Sequence, residues 1–176
     1  MEPADWNDRI GVMTLVKQRL AEVDTERLWE YHPPRAAASE ERLQEVEAHL
    51  GEPLDPSYRA FLRHADGWPA FYQTVDLFGS EDLLGGERFR HAEEMLGYLE
   101  EEQPAARGGR SALLPIAASP VDLDLFVMRR RSSSGPGTVI WLAGAEIDRY
   151  PSFDQYFLAM IDYNRNEIQN LQAPAS

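Results

Sequence analysis

Cysteine is absent from the 176 residues. That excludes a disulfide framework, a thiolate zinc site and a cysteine nucleophile. Lysine occurs once, at Lys17, against 16 arginines. A Walker-type phosphate loop therefore has no candidate, since Gly108–Arg110 lacks both the lysine and the hydroxyl such a loop needs. Long apolar runs are also missing. The longest, Ala112–Ala118, has seven residues and is interrupted by Pro115, where a membrane helix needs about 20. The opening MEPADWNDRI is acidic and polar, unlike a signal peptide, so a soluble, cytoplasmic chain is expected. Basic side chains are scarce, 17 against 30 acidic ones, for a net charge of −13. Nucleic-acid binding is thereby disfavoured, because phosphate contacts need Lys and Arg.

The acidity is uneven: −11 of the −13 lies between residues 39 and 102. Such a field attracts a basic partner; the plainer role of negative charge is solubility. At this length one domain is expected. Ile10, Met13, Val16, Leu20 and Val23 form an apolar stripe at helical spacing, predicting a helix over 6–30. Pro33 and Pro34 end that pattern, so residues 1–38 read as an N-terminal helix and Pro-containing linker, and 39–172 as the main domain. The stripe predicts that the helix docks on the domain or on a second copy.

Ser39 caps a helix that Gly51 ends. Asp55-Pro56 starts another, with Tyr58, Phe61, Leu62 and Ala65 on one face and Gly67 closing it. Tyr72–Phe78 alternates and predicts a strand. A helix follows over 88–102. Further strands are expected near Leu113–Ala117, Leu123–Arg130 and Thr138–Ala143, with Val121, Leu123, Leu125 and Val127 sharing a face. The Gly/Pro/Ser stretch RRSSSGPG joins the last two as a hairpin. A final helix spans about 152–171. Helices, then a sheet, then a closing helix make an α+β domain.

The side chains assemble no catalytic constellation. Gly79-Ser80 does not fit G-x-S-x-G. His32, His49, His64 and His91 never pair at i, i+4, the spacing that puts two imidazoles on one helical face. Asp76, Glu81 and Asp82 form a carboxylate cluster, but match no calcium loop. Asp122 and Asp124, two apart in a predicted strand, read as a solvated face. Nothing calls for a metal or a cofactor. Trp141 reads as core; Trp68, in a predicted loop, is either core or an exposed interface anchor.

The segment ERLQEVEAHLGEPLDPSYRAFLRHADGW resembles the opening of the SUKH superfamily of Smi/Knr-type domains. The family pattern is matched at Leu50-Gly51, Pro53-Leu54, Tyr58, Phe61-Leu62 and Asp66-Gly67. VDLFGSEDLL, LLPIA, the hairpin ending in Val139 and Trp141, and SFDQYFLAMI resemble its later elements in order. The likeness covers about residues 39–165. It departs in the Pro-Leu-Asp-Pro turn and in SPVDLD before the paired strands.

This resemblance implies a single, mostly antiparallel sheet of about four to six strands packed with helices. It also implies a non-enzymatic immunity protein of bacterial type, which binds and neutralises a polymorphic toxin, a nuclease for instance. The alternative is a regulatory or scaffold domain with no toxin. An acidic inhibitor would occupy a basic groove, its carboxylates standing where phosphates go. The partner is then a basic toxin domain, without direct nucleic-acid or membrane contact, and the chain is a monomer or homodimer. Candidate partner-binding residues are Trp68, Asp76, Glu81, Asp82, Glu87, Glu93 and Glu94, where the acidic stretch follows the loop Trp.

Overall fold

The structure, a computed structural model, describes residues 5–102 and 110–174. Its helices are α1 (Trp6–Val23), α2 (Glu40–Leu50), α3 (Pro56–Leu62), α4 (Ser80–Leu83), α5 (Glu87–Glu102) and α6 (Phe153–Gln172). Its strands are β1 (Trp68–Tyr72), β2 (Val75–Leu77), β3 (Leu113–Ala118), β4 (Leu125–Arg129), β5 (Val139–Leu142) and β6 (Glu146–Tyr150). All six strands form one antiparallel sheet in chain order. The expected α+β architecture is therefore present.

The helix expected over 6–30 stops at Val23. Asp24 ends it by a competing set of hydrogen bonds. Its buried carboxylate accepts from the Leu28 and Trp29 amides and from the Tyr31 hydroxyl. Trp6, Met13, Val16 and Leu20 are nevertheless buried, and α1 lies along α6. Residues 31–38 are tied down as a strap. The Trp68 indole donates to the His32 carbonyl at 2.9 Å. The Arg35 and Ala38 amides donate to the Gly67 and Leu62 carbonyls.

Ser39 caps α2 through the Arg42 amide, and Gly51 ends it at φ +77. Asp55 caps α3 through the Ser57 and Tyr58 amides, with Pro56 in the first turn. α3 ends at Leu62, and the turn 65–67 leads directly into β1.

The single strand expected over Tyr72–Phe78 is a tight hairpin, β1–β2, in which Tyr72 pairs with Val75. Gln73 occupies the turn at φ +52, a conformation costly outside glycine. Its amide is fixed by Glu167 of α6 at 2.8 Å. β4 begins only at Leu125. Pro120–Asp124 is a loop, nucleated by the Ser119 hydroxyl accepting the Val121 and Asp122 amides. Val121 and Leu123 are consequently exposed and do not share a buried face with Leu125 and Val127. β6 and α4 are further elements that periodicity did not reveal.

β3, β4 and β5 are almost wholly buried, so the sheet is covered on both faces. α6 covers one face: Phe126 stacks on Trp141 at 5.1 Å and lies 5.1 Å from Tyr156. Strand alternation directs Leu125 and Val127 to the other, where α5 packs on β3 and β4. The α1–α3–α6 junction is an aromatic cluster in which Trp6 meets Phe61, Phe153 and Phe157 at 5.2–5.6 Å between centroids. β6 is a free edge carrying exposed Glu146, Asp148 and Arg149, charges that discourage strand addition.

Candidate interaction surface

The acidic stretch starts at a backbone crossing between the 65–67 turn and the start of α4. Gly67 holds φ +88, and a Cβ there would lie 2.7 Å from the Gly79 nitrogen. A Cβ at Gly79 would lie 2.1 Å from the Asp66 carbonyl oxygen. Only two glycines permit this approach. Asp66 then accepts from the Ser80 amide and hydroxyl, both at 2.6 Å, and Tyr58 donates its buried hydroxyl to the Phe78 carbonyl. α5 is launched from this joint.

The seven candidate residues separate. Trp68, weighed as an exposed anchor, is 1% exposed. It lies in β1, with its ring 5.6 Å from Phe71. Its indole N–H finds a partner in the strap, which lets the whole ring sink into the core. Asp82 is also buried, where its carboxylate accepts the Gly79 amide. Burial pushes its carboxyl up, partly countered by that bond. These two side chains are buried and hold the fold.

Asp76 is intermediate. One of its oxygens accepts the Ala70 amide at 2.8 Å, and the other stands 3.7 Å from the Arg88 guanidinium. Only 15% of its side chain is exposed. Glu81 is exposed, 3.9 Å from Arg35. Glu93 is half-buried and lines a cleft of about 490 Å³ with Leu96, Ser111, Leu113, Pro115 and Arg130. Glu87 and Glu94 are exposed and make no ion pair among the described residues.

Helical spacing places Glu87, His91, Glu94 and Tyr98 on one outward stripe of α5. All four are exposed, Tyr98 to 71%. Beside the first turns of α5 lies a cleft of about 340 Å³, lined by Asp76, Glu87, Arg88, His91, Ala118, Ser119 and Pro120. The structure thus brings Asp76 and Glu87 together, with Glu94 further along the same stripe. Tyr98 and the exposed pair Val121 and Leu123 were not expected at a surface. Tyr98 had a findable signal in its i+11 offset from Glu87. For the pair, the signal was Pro120, which interrupts the strand pattern.

The acidic α2 region differs. Arg59 bridges Glu40 and Glu47, Arg42 pairs with Glu45, and Arg130 with Glu52. The Arg59 hydrogen bonds hold the Glu40 carboxyl below its ordinary range. Much of that charge is answered within the protein.

Of the other carboxylates, Asp124 accepts from the Trp141 indole and Asp122 from the Thr74 hydroxyl. Neither lies in a strand, so the pair is not a solvated strand face. Among the described residues, no three of His, Asp and Glu come together as metal ligands. No described helix is long and apolar enough to cross a membrane.

A comparison with curated proteins finds no match. The family model described as SMI1/KNR4 (SUKH-1) matches residues 37–159, from just before α2 into the first turns of α6. α1 lies outside the matched stretch. With about seven-tenths of its length matched, and the expected sheet present, the chain belongs to the SMI1/KNR4 (SUKH-1) family.

Proposed function

We propose that this chain is an immunity protein, a non-enzymatic inhibitor that binds a basic bacterial toxin domain and blocks its active groove. The observation that carries this is the outer face of α5. Two exposed carboxylates, Glu87 and Glu94, with no ion pair among the described residues, share it with the exposed ring of Tyr98. Carboxylates on a rigid helix suit a groove built for phosphates, with opposite charge speeding encounter. An exposed aromatic adds the anchor that charge alone lacks. Family membership supports protein binding as the mode of action. Inhibition in this form takes place in the cytoplasm, where a nuclease toxin would meet its substrate.

Where a toxin gene adjoins this one, co-expression with its toxin domain tests this. The expected result is restored growth and a purified complex of fixed stoichiometry. Growth arrest despite folded, abundant protein overturns the proposal. Protection at strongly substoichiometric levels would mark a catalytic inactivator instead.

A further inference from the structure

The surface beside α5 carries an apolar component that the acidic residues do not account for. Val121 and Leu123 stand 74% and 67% exposed in the loop Pro120–Asp124. This loop is held in place. The Thr74 hydroxyl bonds both Ser119 and Asp122, joining the loop to the β1–β2 turn. Asp124 accepts the Trp141 indole at 2.9 Å, fixing the other end to the sheet. Two aliphatic side chains are therefore presented to water on a preformed backbone, which lowers the ordering cost of any contact they make.

Pro120 of this loop also lines the 340 Å³ cleft, where Asp76 and Glu87 supply carboxylates. One Asp76 oxygen is held by the Ala70 amide at 2.8 Å, while the other is met only loosely, 3.7 Å from Arg88, and Glu87 has no ion-pair partner among the described residues. We propose that this cleft receives an arginine or lysine side chain of the protein partner, while Val121 and Leu123 pack against aliphatic residues flanking it. The assignment rests on the protein-binding reading above and specifies where and by what chemistry the partner is held. The cation seats between the Asp76 and Glu87 carboxylates, displacing the loose Arg88 contact. The loop supplies the apolar shelf that excludes water from the pair and strengthens it. The α2 region is not favoured, because three of its four carboxylates, Glu40, Glu45 and Glu47, already have internal arginines.

The test uses the full chain and a short synthetic peptide, acetyl-Leu-Arg-Leu-Arg-amide, followed through backbone amide shifts by NMR. The expected result is saturable shifts concentrated at residues 74–76, 87–91 and 118–124. An acetyl-Leu-Glu-Leu-Glu-amide control should cause none. The double variant Glu87→Gln, Leu123→Ser changes only exposed positions. It should weaken peptide binding roughly tenfold, the equivalent of about 1.4 kcal/mol. Shifts centred on α2, the absence of saturable shifts, or a double variant that binds unchanged would each overturn the assignment. The two proposals fail separately. Toxin neutralised equally by parent and variant removes this surface but keeps the immunity reading. A seated peptide without toxin neutralisation does the reverse.

Discussion

Replacing Lys17 by methionine perturbs the contact that fastens α1 to the sheet. The Lys17 side chain is 5% exposed and makes no ion pair among the described residues. Its Nζ donates to the Ala70 carbonyl at 2.8 Å and to the Asn164 side-chain oxygen at 3.3 Å, and lies 5.5 Å from the Tyr31 ring centroid. Burial pushes its pKa down from 10.5 to about 8. The folded pKa is thus below the unfolded one. Stability from this group is complete above pH 10.5 and is lost as pH falls through about 8. The fall from 10.5 to about 8 corresponds to about 3 kcal/mol. Between pH of about 7 and about 9.5, the parent should gain about 2 kcal/mol relative to Lys17→Met.

At neutral pH the variant loses two hydrogen bonds, leaving the Ala70 carbonyl without this donor, at a cost of about 1–3 kcal/mol. It also sheds a buried charge, so the net change near pH 7 is small. Urea unfolding of both proteins across this range measures the difference. Staying below about pH 10 matters, because the buried Tyr58, Tyr72, Tyr150 and Tyr156 have raised folded pKa values. Their contribution is lost above the ordinary tyrosine range near 10 in both proteins. A parent–variant difference independent of pH would refute the buried, partner-poor amine.

Gly79→Ala should cost more than about 3 kcal/mol or prevent folding, since its Cβ would meet the Asp66 backbone at 2.1 Å; thermal melting reads this. Trp68→Ala should destabilise by about 3–5 kcal/mol as a core truncation, so any binding loss must track unfolding in a chemical denaturation curve. Tyr98→Ala should leave the melting temperature nearly unchanged, within about 0.5 kcal/mol, yet weaken toxin binding about tenfold or more by calorimetry. Trp6→Ala should lower stability by about 3–5 kcal/mol, because the ring joins α1 to Phe61, Phe153 and Phe157; an unchanged melting curve would mean that α1 contributes little.

Helix starts with strong local chemistry were legible in the sequence. Ser39, Asp55-Pro56 and Ser152 each mark a helix start where the structure has one. Irregular backbone was not. The β1–β2 turn contains no glycine or proline and depends on Glu167, almost a hundred residues away, to hold Gln73. Asp24 ends α1 through a local network that a helical stripe continuing to Val23 conceals. The exposed β6 lacks a buried alternating face, so period-2 hydrophobicity has nothing to report. At the candidate surface, charge density marked the stretch of chain that contains α5. Yet side-chain roles depended on tertiary partners: Asp82 turned inward to the Gly79 amide, while Glu87 and Glu94 remained outside. Trp68 showed the same limit, since its burial requires the His32 carbonyl from the strap.

The central claim is that an acidic face around α5 captures a basic toxin domain. The most direct measurement is the affinity of the purified cognate toxin domain, once identified, for the parent and for a folded Glu87→Lys, Glu94→Lys variant, across a salt series. Parent binding should be tight and weaken with salt, mainly through the association rate. Variant binding should be weaker, with a reduced salt dependence. Equal affinities and equal salt slopes for the two proteins would contradict it.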